Sequence, residues 1–218
     1  KTAPHASTPS TTARYTHRTF NLPFPVMNDG EGMLGLMKAR QSERKYLNKP
    51  VEKEKIERIT EAARLSPSAC NGQPWRFSIV TNRERIRALS DESKRSLLSD
   101  LERDPASPLQ RYGDILRDPK FNVFYNAPCV VYISGPSGLG SLDVDCALAA
   151  CYFMFAAAAR NLGTCWIGLG AHLRNPATLR ELGIMEGLEI VAPIALGYPK
   201  AIPGPSERNE PVILGVLE

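Results

Sequence analysis

The spacing of apolar positions changes several times along this chain, and each change predicts an element. Met33, Leu34 and Met37 fall on one side of a helix predicted over Gly30 to Arg40. Ile56, Ile59 and Ala63 recur at helical spacing, predicting a second helix from Val51 to Leu65, with Glu54 and Arg58 placed for an i,i+4 pair. Arg76 to Val80 reads as a strand. Arg83 to about Leu101 reads as a charged helix on the outside of the body. Asp104 to Pro119 is interrupted by prolines and reads as a cover over a site. Cys129 to Ser134 is continuously apolar, as a buried strand would be. A helix follows to Asn161, with Asp143 as the expected N-cap. Its run Cys146 to Ala159 is apolar on every side and rich in alanine. The helix is therefore expected at the centre of the molecule, across a dimer interface. Thr164 to Gly168 predicts a short strand, Asn175 to Leu182 a helix, and Leu188 to Tyr198 a strand that Pro193 assigns to an edge or a bulge. Pro211 to Leu217 predicts a final strand.

Composition narrows the function classes. The chain has 218 residues, of which 43% are hydrophobic, enough for a sizeable core. A formal net charge of +4, with no basic run interleaved with aromatics, argues against a nucleic-acid surface. The 5 cysteines include no CxxC pair, and the 3 histidines form no HExxH, so neither a disulfide framework nor a metal site is expected. A reducing, cytoplasmic setting is the simpler inference. The longest apolar run falls short of the roughly 20 residues a membrane helix requires. Residues 1–27 are rich in Ser, Thr and Pro and poor in acids, and read as an extended or disordered arm before a single domain at 28–218. The alternation of Phe20, Leu22, Phe24 and Val26 would let the end of that arm lie along a surface.

Three stretches carry candidate chemistry. Ser66 to Trp75 holds two prolines, a glycine and the polar groups of Ser68, Asn71 and Gln73, with Trp75 as a core anchor. Such a segment is either a rigid platform for a flat hydrogen-bonding ligand or a structural loop whose polar groups satisfy one another. Arg40, Ser42 and Arg44 alternate, which puts two guanidiniums and a hydroxyl on one side of an extended segment. That set suits a terminal phosphate, although a solvated basic loop would look the same. Arg208 could supply a third cation. Gly135-Pro136-Ser137-Gly138-Leu139-Gly140 invites a dinucleotide-binding reading, but its spacing is GxxGxG and no early βαβ unit surrounds it.

The first two of these stretches, with others that follow them in order, resemble the FMN-dependent nitroreductase family. Arg40-Gln41-Ser42-Glu43-Arg44-Lys45-Tyr46 is similar to its RRSxRxF pattern, and Ser66 to Trp75 to its PSxxNxQPW loop. Phe124 to Pro128, Asp143 to Gly168 and Gly197-Tyr198-Pro199 with Arg208 follow in the family's order, from about residue 33 to 217. The resemblance implies an α+β fold with a mostly antiparallel central sheet flanked by helices, built as an intertwined homodimer with one FMN in each interfacial cleft. It implies that Arg40, Gln41, Ser42, Arg44 and Arg208 hold the phosphate. Pro67, Ser68, Ala69, Asn71 and Gln73 would reach the flavin from the other subunit. Backbone at Ile167 and Gly168 would face the reactive flavin edge, and the C-terminal segment would wrap onto the partner. Gln41 stands where a second arginine is common, Ser206 where many members have lysine, and Ile167 where some have glutamate.

The implied activity is passage of a hydride from NADH or NADPH through flavin N5 to a nitroaromatic, quinone or similar electron-poor molecule by a ping-pong route. The chemistry belongs to the flavin, so no side chain is assigned as catalytic. The alternatives are a flavin enzyme of the same fold that dehalogenates, oxidises a ring or destroys flavin, and a flavin-binding protein without turnover.

Overall fold

The structure is a computed structural model that describes residues 31–201 and 206–217. The predicted arm at 1–27 lies outside the described residues. The chain runs α1 (Glu31–Ala39), α2 (Lys53–Ala63), β1 (Arg76–Val80), α3 (Arg83–Arg103), α4 (Gly113–Arg117), β2 (Cys129–Pro136), α5 (Leu142–Ala158), β3 (Gly163–Trp166), α6 (Pro176–Glu181) and β4 (Leu188–Gly197). The four strands form one sheet in the order β1-β2-β4-β3, with every pairing antiparallel. Helices cover both faces, so this is the α+β architecture that the resemblance implies.

Each face of the sheet has its own core. On one side α2 and α5 pack through Ile56, Ile59, Ala63, Cys146, Ala149, Ala150 and Phe153 onto Val131, Ile133 and Ile194, with Trp75 sealing the end. On the other side α3 buries Ile86, Leu89, Leu97 and Leu101 against Val130, Tyr132, Phe124 and Leu116. The helix expected on the outside is thus amphipathic and buries one face in the second core. Asn82 caps its start by accepting from the Arg85 amide at 2.9 Å.

Several expectations are corrected. Asp143 does not cap α5; Ser141 precedes the helix and Asp143 lies inside the first turn. Within the single chain α5 leaves Val144, Leu148 and Tyr152, one turn apart, as an exposed stripe. The strand after α5 stops at Trp166, where the backbone turns into a 3-10 segment at Gly168–Ala171. Glu54 and Arg58 make no ion pair; Lys53 reaches Glu57 at 3.6 Å instead. The strand predicted over Pro211 to Leu217 is not formed: this segment runs without secondary structure, with Val212, Leu214 and Leu217 almost fully exposed. Among the described residues, no strand lies beside its apolar side chains.

Pro193 has a clear physical place. β4 is an interior strand from Ile194 to Gly197, where β3 pairs with it. At Pro193 that pairing ends, and the Pro193 carbonyl accepts from the Ile167 amide at 2.8 Å as the chain leaves the sheet. The missing proline N–H therefore faces the side on which β4 has just become an edge. The register shift at Ile133/Ser134 supplies a bulge nearby.

Candidate functional site

Residues 40–44 run as an extended segment against the start of β3. Glu43 donates its amide to the Thr164 carbonyl at 2.9 Å, and Ser42 bridges to Thr164. Glu43 points inward and is buried. Its carboxylate accepts from the amides of Arg44 at 2.8 Å and Lys45 at 2.6 Å, which fixes the turn of the backbone there. Gly163 permits this close approach, because a Cβ on it would lie 2.7 Å from both Cβ and Cγ of Glu43. With Glu43 inward, Ser42 and Arg44 face out, as alternation requires.

The outward groups converge. Arg44 lies over the Tyr125 ring at 5.8 Å. Burial raises the Cys165 thiol above its ordinary pKa, while Arg44, the Ser42 hydroxyl and Arg40 oppose that rise from close by. The thiol is therefore neutral at physiological pH and adds no negative charge. Among the described residues, no carboxylate pairs with Arg40 or Arg44. Two unneutralised guanidiniums and an exposed hydroxyl at one sheet edge are suited to a phosphate. Gln41 lies alongside: its amide donates to the Lys38 carbonyl at 3.3 Å and its oxygen accepts from Ser206 at 2.6 Å. That bond brings the C-terminal segment to the basic array. The Arg208 guanidinium itself bonds the neighbouring Glu207 carbonyl at 3.0 Å. Ile167 is buried, and Gly168 is exposed beside the half-open Trp166 ring.

The second stretch is a stiff, outward-facing shelf. Ala69–Asn71 forms a single 3-10 turn, and Cys70, Asn71 and Gln73 all adopt positive φ (48°, 54° and 47°). Non-glycine residues in that region carry strain that the surroundings must hold. The surroundings do so. The Gln73 amide donates to the Ser68 hydroxyl at 3.0 Å, and the Gln73 side chain donates to the Asn71 carbonyl at 3.3 Å. The Ala69 amide donates to Asp145 Oδ1 at 2.9 Å, while Ser141 donates to Asp145 Oδ2 at 2.9 Å. Asp145 is only 3% exposed. Sequence reasoning missed this residue and chose Asp143 instead, since a carboxylate facing inward from an apolar helix looks like any first-turn acid. Pro67, Ala69, Asn71 and Gln73 stay exposed, with Ser68 half-buried.

One chain keeps the two stretches apart. The shelf is tied to α5 near its start, at Asp145. The basic array shares a small cavity with Ala158 at the helix's other end. At about 1.5 Å per residue, Asp145 and Ala158 are roughly 20 Å apart along the helix. The stretches also flank opposite sheet edges, since the shelf leads into β1 and the array lies on β3. No hydrogen bond among the described residues joins them.

Comparison with known proteins places this arrangement. The model of the nitroreductase family matches residues 37–198. A protein of Archaeoglobus fulgidus with the provisional name NADH dehydrogenase/NAD(P)H nitroreductase is 30% identical over 171 residues, covering 78% of this chain and 87% of that protein. The nitrobenzene nitroreductase of Ectopseudomonas oleovorans is 28% identical, with 75% and 85% covered. The crystal structure of a nitroreductase with bound FMN from Bacteroides fragilis superposes with a TM-score of 0.68 at 25% identity, over 85% of this chain and 96% of that one. On the extent of the family match and the shared fold, this chain belongs to the nitroreductase family.

Proposed function

We propose that the chain is an NAD(P)H-dependent FMN oxidoreductase that reduces electron-poor small molecules such as nitroaromatics or quinones, working as a homodimer in the reducing cytoplasm. The unneutralised array of Arg40, Ser42 and Arg44 at the β3 edge carries this reading, because it fits the phosphate of FMN in charge and donor geometry. The named relatives, one with FMN bound and one an NAD(P)H nitroreductase by name, support it. The phosphate residues would be Arg40, Gln41, Ser42 and Arg44, with Arg208 brought near by the Ser206–Gln41 bond. Ile167 and Gly168 would lie against the flavin ring. Pro67, Ser68, Ala69, Asn71 and Gln73 would close the site of a second copy, since their own chain holds them at the far sheet edge.

Bound FMN would supply the hydride-accepting and hydride-donating chemistry. The chain's own groups bind and orient. Arg40 and Arg44 neutralise phosphate charge. The exposed Gly168 backbone, without a side chain, lets a flat ring approach closely. The shelf offers amide and carboxamide donors already fixed in place, so little ordering cost falls on binding.

The purified protein is expected to be yellow, with a flavin absorbance band that bleaches on NADH or NADPH under anaerobic conditions and returns on adding a nitroaromatic or quinone. A colourless protein that takes up no FMN would overturn the proposal. A flavin band that neither nicotinamide bleaches would leave only flavin binding without turnover.

A further inference from the structure

A second cavity, away from the basic array, has no role in the reading above. Its volume is about 310 Å³, and it lies between the start of α3 and the turn 119–127. That volume is at the lower end of small-molecule sites. Arg83, Arg87 and Lys120 line it. Arg83 and Arg87 are one turn apart on α3 and so share a face. Among the described residues, none of the three cations has a carboxylate partner. The first turn of α3 adds the partial positive charge of its free amides.

The side chain of Asn122 is the second observation. It lines the cavity and is only 9% exposed. Its oxygen accepts from the Phe124 amide at 2.9 Å, but its NH2 group has no acceptor among the described residues. The NH2 group is thus free to donate to a molecule held in the cavity. The turn that carries it is held firmly. Lys94 donates to the carbonyls of Asp118 at 2.6 Å and Phe121 at 3.0 Å, and Ser90 accepts from the Val123 amide at 2.9 Å.

We propose that this cavity is a subsite for a nucleoside phosphate, here the phosphate-bearing end of the nicotinamide cosubstrate. The cations and the Asn122 amide take the phosphate, and Phe121 offers an aromatic edge to the base. Glu84 and Asp91, which also line the cavity, are acceptors for ribose hydroxyls or an exocyclic amine. Their presence favours a nucleotide over a bare anion. The cavity is also linked to the basic array: Phe121 meets the Tyr125 ring edge-on at 6.1 Å, and Tyr125 in turn lies under Arg44. The identity of the nucleotide rests on the proposed oxidoreductase activity; its binding does not.

The test is calorimetric titration of the full-length protein with 2′,5′-ADP and, separately, with inorganic phosphate, alongside the flavin absorbance of each preparation. The nucleotide is expected to bind saturably and more tightly than inorganic phosphate. Arg83→Gln with Arg87→Gln should weaken it at least about tenfold, the loss expected for charge-assisted contacts. Lys120→Gln alone should weaken it by a smaller factor, and flavin content should stay unchanged in all variants. Absence of nucleotide binding, equal binding of inorganic phosphate, or wild-type affinity in the double variant would each overturn the subsite. A flavin-free protein that still binds the nucleotide through Arg83 and Arg87 keeps the subsite and refutes the flavin reading. A flavoprotein whose nucleotide binding ignores these residues does the reverse.

Discussion

Asp145 shows how one buried charge can set a functional surface. Its two oxygens are taken by Ala69 and Ser141, and through Ala69 it holds a loop with three strained non-glycine residues. Asp145→Ala would remove the charged acceptor shared by the Ala69 amide and the Ser141 hydroxyl, at a cost of about 1.5–3 kcal/mol. Urea denaturation should show that loss, and flavin content should fall with it. Asp145→Asn keeps an oxygen for the Ala69 amide and should recover most of the stability. Gly163 is the matching residue for the basic array. Gly163→Ala sets a methyl against the Glu43 side chain, so the segment bearing Ser42 and Arg44 must shift. Overpacking of this kind costs about 1–3 kcal/mol, and FMN retention on gel filtration should drop further than the change in melting temperature alone would explain. At Cys129, burial pushes the thiol up to about 12, so it should stay unlabelled by iodoacetamide near pH 8 while exposed Cys70 reacts.

Elements were legible from sequence where period and caps agreed. β1 and α6 were placed to within a residue or so, because Val80 and the Asn175-Pro176 pair mark firm ends. The Arg40–Arg44 alternation and the shelf were also readable, since both depend on local backbone. Other features are not legible locally, because they turn on residues far away in sequence. The apolar run of α5 predicts a central helix at an interface, and in the single chain it leaves Val144, Leu148 and Tyr152 exposed. Pro211–Leu217 has a strand's composition and, among the described residues, no strand beside it. Asp145 declares its importance only once Ala69 is folded against it. The α5 stripe gives an element-scale prediction. An exposed apolar row of this kind marks an interaction surface. Leu148→Glu should shift the protein from dimer to monomer in sedimentation, and should release flavin as it does so.

At the scale of the whole molecule, the decisive question is whether each site draws on two chains. Arg40, Ser42 and Arg44 gather at one sheet edge, and Ser68 to Gln73 at the other, roughly 20 Å away along α5. A subunit-mixing experiment reads this directly. One variant carries Arg40→Ala and Arg44→Ala, and the other disables the shelf through Asp145→Ala. Each homodimer has two damaged sites and should retain little FMN. In the mixed dimer, one site combines both lesions. The other joins the intact basic array of the shelf variant to the intact shelf of the arginine variant. Differently tagged chains, co-expressed and purified through both tags, should therefore carry about one FMN per dimer, with half the wild-type turnover. If every site lay within one chain, the mixed dimer would have no intact site and would be as empty as its parents. The experiment thus separates a shared site from a self-contained one even if both variants prove less stable than the wild type, because the two models differ in the mixed dimer and agree in the homodimers.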